Sequence, residues 1–495
     1  MKIDVRARLR KGLDAGYPIL YVQGEDEGRV GELLAELTRE RLGPNAPLIL
    51  WSAARGFHTL TESLEPITDP VAALQHVATL PGPAVIQMRD LPSLFERDPR
   101  IVRALRDLYA QAGQRSVVLC LSDAALVLPD GLKKQVFLVT LGLPGEADIL
   151  RHLDRLANAA GVAERLDPDW RFQCAAAMRG MSLDEIGHLV RRLVREDKLA
   201  LDQAIPEILE EKSYALLKEG CLRFVANTVR LDQVGGLQNL KEWVSSRASL
   251  FTRQAFESGV PLPSGILFMG VSGCGKSLAA KLIAGAWNLP LVRLDMNLVL
   301  SGAYGAPEYA FDHALRVAEE IAPLVLWIDE MENSFGYDLT GYGGNNNIFA
   351  SFLTWMQEKP SNVFVVATAN RIEKLPAEVI RKGRFDQLFF LDLPNEEERT
   401  AILRIHIRAF GADPDTFNLK FLAAVTKNWS GAEIEQAIKA ARIRGYQDGR
   451  MFTEQDVVWN TARMVPLSRT MEEQIKQLRL WSVNRATPAS PKVEM

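Results

Sequence analysis

The sequence is poor in the residues that build metal centres and disulfide frameworks. Its four cysteines, Cys120, Cys174, Cys221 and Cys274, lie far apart and form no CxxC or CxxH pair. That spacing excludes a zinc module and a disulfide scaffold, and it fits a reducing cytoplasm. Six scattered histidines add no clustered donor set, which a metal site needs. No run of about 18 apolar, uncharged residues occurs, so no membrane span is expected. The opening MKIDVRARLRKG alternates charged and apolar residues without an apolar stretch, so no signal peptide is expected. Basic excess is missing too: 58 Lys and Arg against 62 Asp and Glu leave a net charge of −4. A nucleic-acid motor or loader, which would carry a basic face, is thereby disfavoured.

What is present is apolar material in short, regularly spaced runs. At 495 residues the chain exceeds one ordinary core, and about two to four domains are expected. In the C-terminal half the runs Ile266–Met269, Leu291–Leu294, Leu324–Ile328, Val363–Ala367 and Phe389–Leu391 are bounded by turn residues and read as buried parallel strands. Amphipathic stretches such as Leu278–Trp287 and Tyr309–Ile321 separate them, the βαβ alternation of a doubly wound sheet. Beyond Pro394 the pattern is helical. The N-terminal half repeats the plan with Ile19–Val22, Leu48–Trp51, Ala84–Met88, Val117–Leu121 and Val136–Val139, followed by helices from Pro144 to about Ala200. The fold expected is α/β: two tandem P-loop modules, each a five-stranded parallel sheet followed by a helical lid. The expected boundaries are 1–200 for the first module, 201–230 for a helical linker, 231–394 for the second α/β part and 395–484 for its lid. Residues 485–495, rich in Ala, Thr, Pro and Ser, read as a disordered tail.

The chemistry concentrates in the second module. Gly270-Val271-Ser272-Gly273-Cys274-Gly275-Lys276-Ser277, running on into Leu278, fits G-x-x-x-x-G-K-[ST] between a predicted strand and a predicted helix. The glycines let backbone N–H groups and the helix N-terminus turn toward phosphate oxygens. Lys276 is expected at the β- and γ-phosphates of ATP, and the Ser277 hydroxyl on Mg2+. About fifty residues later, Leu324–Ile328 delivers Asp329 and Glu330 at the C-terminal strand edge, where ligands bind in such sheets. Asp329 is expected on the metal side, partly through water. Glu330 is expected to orient or deprotonate the attacking water. The strand Val363–Ala367 runs into Thr368-Ala369-Asn370, an amide suited to position the same water or to read the γ-phosphate.

These motifs, with Arg381-Lys382-Gly383-Arg384-Phe385-Asp386 further on, resemble the AAA ATPase family over Gln233–Arg442. The resemblance implies that Asp232–Leu237, with Gly235, packs on adenine. It implies that Asn370 is the first sensor, and that Arg381 and Arg384 are fingers reaching a neighbouring subunit's ATP. Ser430-Gly431-Ala432-Glu433 matches the family's lid turn. A homo-oligomeric ring of six follows from the family, not from the residues. WIDEMENSFG, FLTWMQEK and VFVVATAN are similar to a subgroup encoded in cyanobacterial and red-algal plastid genomes, which would put the protein in the cytoplasm or the plastid stroma.

Two departures bear on mechanism. Lys382 stands where family members carry Pro. In the pore-loop region Gly302-Ala303-Tyr304-Gly305 sets the aromatic one place late, so Tyr304 is either a substrate-gripping ring or a packing residue. The polar loop 337–347 is either a substrate contact or a plain connection. In the first module Glu25, Asp26 and Glu27 stand at the positions of Ser272, Gly273 and Cys274. Arg29 replaces Lys276, and Val30 replaces Ser277. Three acids repel a triphosphate and Val30 cannot ligate Mg2+, so this half is expected not to hydrolyse ATP, with Arg29 paired to the acids of its own turn. The function expected is an ATP-hydrolysing ring that remodels a protein partner. A nucleotide-gated scaffold is the alternative.

Overall fold

The computed structural model describes residues 4–491, apart from 60, 81, 112–116, 219, 226–228, 252–254, 256–257, 259, 335–344, 361, 372–376 and 381–382. The chain forms two compact units, Met1–Ile208 and Leu209–Met495.

The first unit holds β1 (Ile19–Gln23), β2 (Leu48–Ser52), β3 (Gly56–His58), β4 (Ala84–Arg89), β5 (Val117–Asp123) and β6 (Phe137–Thr140). They lie in the order β3-β2-β4-β5-β1-β6. Only β3 runs antiparallel, returning along β2. Helices Glu146–Ala159, Pro168–Ala177 and Leu183–Arg195 follow and enclose their own core around Leu153, Trp170 and Ile186. The last of these is fixed at its start by a capping box, Ser182 with Glu185.

The second unit holds β7 (Leu222–Val225), β8 (Gly265–Gly270), β9 (Leu291–Leu294), β10 (Leu324–Ile328), β11 (Val363–Ala369), β12 (Gln387–Leu391) and β13 (Thr487–Pro488). Their order is β13-β12-β8-β11-β10-β9-β7. All pairs are parallel except β7 with β9. Numbering only the five parallel strands expected from each half, both sheets read 5-1-4-3-2.

Strand alternation explains why this sheet is covered on both faces. Ile266 and Phe268 of β8 face one layer with helix Lys276–Ala286, while Leu267 and Met269 face another with helices Pro307–Ile321 and Asn345–Glu358. In the first layer Trp287 stacks on Phe251 at 4.1 Å and meets Phe364 edge-on at 4.7 Å between ring centroids. Each such buried ring contributes about 1.5–3 kcal/mol.

Three expectations need correction. Neither sheet stops at five strands, because β3, β7 and β13 cover edges that would otherwise expose unpaired backbone. The stretch 201–230 is not wholly helical: helix Leu201–Lys218 gives way to β7. Nor is the expected tail loose over its described part, since Thr487 and Pro488 pair with Phe389 and Phe390 of β12; residues 492–495 lie outside the described residues. Pro488 is tolerated there because an edge strand has one side without a ladder partner.

Candidate active site

β8 ends at Gly270 (φ +146°), where a Cβ would lie 2.0 Å from the Leu391 carbonyl oxygen. Only glycine allows the chain to turn there beside β12. The loop then passes Gly273, whose carbonyl accepts Ala432 N at 3.1 Å from the lid. Gly275 begins helix Lys276–Ala286 without any side-chain cap. The first N–H groups of that helix, which have no intrahelical acceptor, are thus offered outward. Gly273, Cys274, Gly275, Lys276, Ser277 and Leu278 line a cavity of about 500 Å³.

Lys276 is buried, and its Nζ donates to the carbonyls of Gly270 and Val271, each at 2.9 Å. Burial pushes the ammonium below its ordinary pKa, while the negative charge of the carboxylates Glu332, Asp329 and Glu330 pulls it part of the way back up. The cation is held by neutral dipoles and acids at a distance, the setting in which an incoming anion is favoured. Burial also pushes the Cys274 thiol up to about 12, so it stays protonated and unreactive.

Asp329 and Glu330 follow β10 on the far wall of the same cavity, with Glu330 in a left-handed conformation (φ +48°). A side chain with a Cβ adopts that geometry only when its surroundings impose it. Here Thr368 does so: its hydroxyl accepts Glu330 N at 2.9 Å and donates to Asp329 Oδ1 at 2.7 Å. Asn370 Nδ2 donates to Glu330 Oε1 at 3.3 Å. The other amide atom, Asn370 Oδ1, is buried and has no hydrogen-bond donor among the described residues.

The sequence reading missed Glu332. Its buried carboxylate accepts Asn370 N at 2.7 Å and Arg371 N at 3.1 Å, which pins the end of β11. Burial pushes this carboxyl above its usual range. The available signal was a third acid two residues beyond the Asp-Glu pair. Thr368 was read only as part of a strand end.

Gly235 and Leu237 line the same cavity with Ile402 and His406 of the helix Glu396–Ala409. A Cβ on Gly235 would meet Ile402 Cγ1 at 2.7 Å. The structure therefore brings Gly235, Ser272 to Leu278, Asp329, Glu330 and Asn370 to one cavity. Gly270 and Val271 shape the loop behind it. Arg384 is not among the lining residues. Its Nη1 donates to the Glu378 carbonyl, and its Nε is buried without a partner among the described residues. Arg381 and most of the 337–347 loop lie outside the described residues. The Tyr304 ring covers Gly220, where a Cβ would meet it at 2.3 Å, yet it remains 45% exposed.

The hard oxygens of Ser277 and Asp329 suit Mg2+. The glycine cradle, the uncapped helix and the orphaned Asn370 Oδ1 suit a polyphosphate with an ordered water. The residues fit both groups.

In the corresponding region of the first unit the charged side chains are engaged with one another and with the backbone. Asp26 accepts Arg29 N at 2.9 Å and caps the helix Glu27–Leu42. Arg29 does not pair with the acids of its own turn. It donates to the Gly142 carbonyl at 2.7 Å and to Asp148 Oδ2 at 2.9 Å. Asp148 begins a helix that the sequence alone could not bring alongside. Glu27 faces Arg89 at 3.4 Å, and Val30 is buried. Asp90 follows β4 with φ +55°, as Glu330 follows β10.

Comparison with known proteins assigns three stretches of the chain to AAA ATPase families. Residues 5–141 match the N-terminal domain of SpoVK-like AAA ATPases, 147–219 match the second domain of the same group, and 266–393 match the ATPase family associated with various cellular activities (AAA). The uncharacterized AAA domain-containing protein ycf46 of Guillardia theta is 32% identical over 480 residues, covering 95% of this chain and 93% of that one. Its counterpart in Trieres chinensis is 33% identical over 477 residues, covering 95% of each. The ATP-dependent zinc metalloprotease FtsH of Marinobacter nauticus is 29% identical over 230 residues, 45% of this chain and 36% of that one. Set on the P-loop and the acid pair already described, these matches mean that the chain belongs to the AAA ATPase family and is an ATP hydrolase.

Proposed function

We propose that the chain works as one subunit of a ring, a hexamer by the family's habit, that uses ATP hydrolysis to remodel the conformation or assembly of a protein partner. The observation that carries the hydrolytic part is the convergence of Lys276, Ser277, Asp329, Glu330 and Asn370 on one cavity at the C-terminal edge of the sheet. Lys276 exchanges its two carbonyl partners for phosphate oxygens when ATP enters. Ser277 and Asp329 hold Mg2+, which when bound supplies Lewis-acid stabilisation of phosphate charge. Glu330, steadied by Asn370, orients the attacking water and takes its proton. Asn370 Oδ1 accepts from that water.

Ring action is supported by Arg384, which stays outside the cavity of its own chain and is free to serve a neighbour's. Arg381 is assigned the same role by resemblance. An arginine supplied in trans is worth about 10³–10⁵ in rate. Tyr304, half exposed at its loop, is the candidate contact for a threaded segment. The first unit serves as a non-hydrolysing module for docking or scaffolding. A protein partner is supported by the relative named as a metalloprotease. No described helix is long and apolar enough to cross a membrane, and the protein is assigned to the cytoplasm or the plastid stroma.

The test is a Glu330→Gln chain, which holds ATP without cleaving it. Incubated with ATP and cell extract, it should retain a specific protein that is absent with ADP, and that protein should stimulate wild-type turnover. Stimulation by DNA alone, or by nothing, would count against a protein remodeller.

A further inference from the structure

The last described residues do more than cover a sheet edge. After helix Glu472–Ser482 the chain joins β12 as β13 and places Ser490 on the wall of the nucleotide cavity. Three separate segments are tied to it. Asn239 Nδ2 donates to the Pro488 carbonyl at 3.0 Å, and Leu240 N donates to the Ala489 carbonyl at 3.2 Å. Ala489 N donates to the Phe390 carbonyl at 2.9 Å, and the Ala489 side chain is buried with Val234, Leu237 and Leu240. Ser490 Oγ donates to Glu398 Oε1.

Glu398 is the centre of this arrangement. It is buried, and the oxygen that accepts from Ser490 also accepts Leu237 N at 3.1 Å, while Oε2 accepts Asn395 N at 3.0 Å. Gly236 (φ +76°) lies so close that a Cβ would meet Glu398 Oε1 at 2.4 Å. Leu237 is itself left-handed at φ +60°, a conformation that needs outside support. The segment Gln233–Leu237, which lines the same cavity as Lys276, is therefore held by a carboxylate that Ser490 and Asn395 together position.

We infer that Thr487–Ser490 is a strap that preforms the Gln233–Leu237 wall of the nucleotide site, with Ser490 and Glu398 as positioning residues for ATP binding. The strap reaches the reaction through Gln233–Leu237 and not through the phosphates, so its loss weakens binding more than turnover. The inference rests on the reading of this cavity as the ATP site.

The experiment compares full-length wild type, Ser490→Ala, Ser490→Thr and a chain ending at Ala486, by ATP kinetics and by titration with a slowly hydrolysed ATP analogue and Mg2+. Ser490→Ala should raise KM and the analogue's Kd about tenfold, the loss expected of one hydrogen bond to a charged acceptor. kcat should change by less than about twofold, because a group acting only on ground-state binding leaves the chemical step alone. Ser490→Thr, which keeps the hydroxyl, should restore affinity, and the shortened chain should lose at least as much as Ser490→Ala. Wild-type affinity in Ser490→Ala overturns the strap. So does a loss of affinity matched by a fall in kcat and in the nucleotide-free melting temperature, since that is the mark of a merely structural role. Lys276→Ala separates the two layers: undiminished analogue binding there overturns the site reading itself.

Discussion

Thr368 ties Asp329 to its neighbour: the same hydroxyl donates to Asp329 Oδ1 at 2.7 Å and accepts Glu330 N at 2.9 Å. One side chain on β11 thus ties the Asp329 carboxylate to the Glu330 backbone in the turn that follows β10. Thr368→Val keeps the shape and removes the hydroxyl, leaving Glu330 N without its acceptor in a left-handed turn. We expect a stability loss of about 1–3 kcal/mol by urea denaturation. We also expect a fall in kcat of about 10- to 100-fold, because small displacements of positioned groups are costly. Unchanged kcat would mean that the acid pair is held in place by something else.

Much of this site was legible because it is local in sequence. Gly270 to Ser277 announces itself by spacing, and the strand runs before Asp329 and Asn370 are apolar throughout. What stayed hidden depends on pairing across the fold. Glu332 looks like any acid on a short helix until β11 brings Asn370 N and Arg371 N to it. Ala486 to Ser490 has the composition of a loose tail. Its order comes from β12 and Glu398, about 90 residues away in the chain. Likewise Arg29 found Asp148 rather than the nearer acids, because Asp26 and Glu27 were already committed to a helix cap and to Arg89.

Arg384 lies outside the cavity lining of its own chain, with Nη1 on the Glu378 carbonyl. If it completes a neighbour's site, Arg384→Ala should leave ATP affinity within about threefold of wild type and lower kcat by about 10³ or more. The check is analogue titration beside steady-state turnover. Activity per chain should also fall on dilution as the assembly dissociates. A strictly monomeric sample that turns over ATP at the full rate would refute action in trans.

The lid carries a pH-sensitive brace. Asp456 is 3% exposed at its side chain and accepts from Arg450 at 2.6 and 2.9 Å and from Thr453 N and Oγ1. Hydrogen bonding from Arg450 holds its carboxyl well below the usual carboxylate range, with Thr453 adding to the effect against burial. A depressed carboxylate contributes stability above its unfolded pKa, about 3.9, and loses it as pH falls toward the folded value. Asp456→Asn should therefore cost about 1.5–3 kcal/mol at pH 7, kept modest by the half-exposed Arg450. The gap between variant and wild type should close below about pH 4. Melting curves at pH 7 and in the acid range test this, and a gap that stays constant with pH would exclude ionisation as its source.

The final expectation concerns stoichiometry: one nucleotide per chain, not two. The two sheets share the strand order 5-1-4-3-2, and Asp90 and Glu330 share a left-handed backbone after the matching strand. Equal topology alone would predict two sites. The side chains decide otherwise. In the second unit Lys276 is held by two carbonyls that a phosphate can replace. In the first, Arg29 is held by the full charge of Asp148 at 2.9 Å. Any phosphate would have to displace that carboxylate while facing Glu25, Asp26 and Glu27. A Cβ on Gly24 would already meet Leu141 Cβ at 2.7 Å, so this turn is packed onto the end of β6 and not opened around an anion. Val30, where Ser277 offers a hydroxyl, is buried and apolar. Calorimetric titration of the full-length chain with a slowly hydrolysed ATP analogue should give a stoichiometry near one, and Lys276→Ala should take it to zero. A stoichiometry near two, with one site surviving Lys276→Ala, would mean that the Arg29–Asp148 pair opens for nucleotide and that the first unit is a working site.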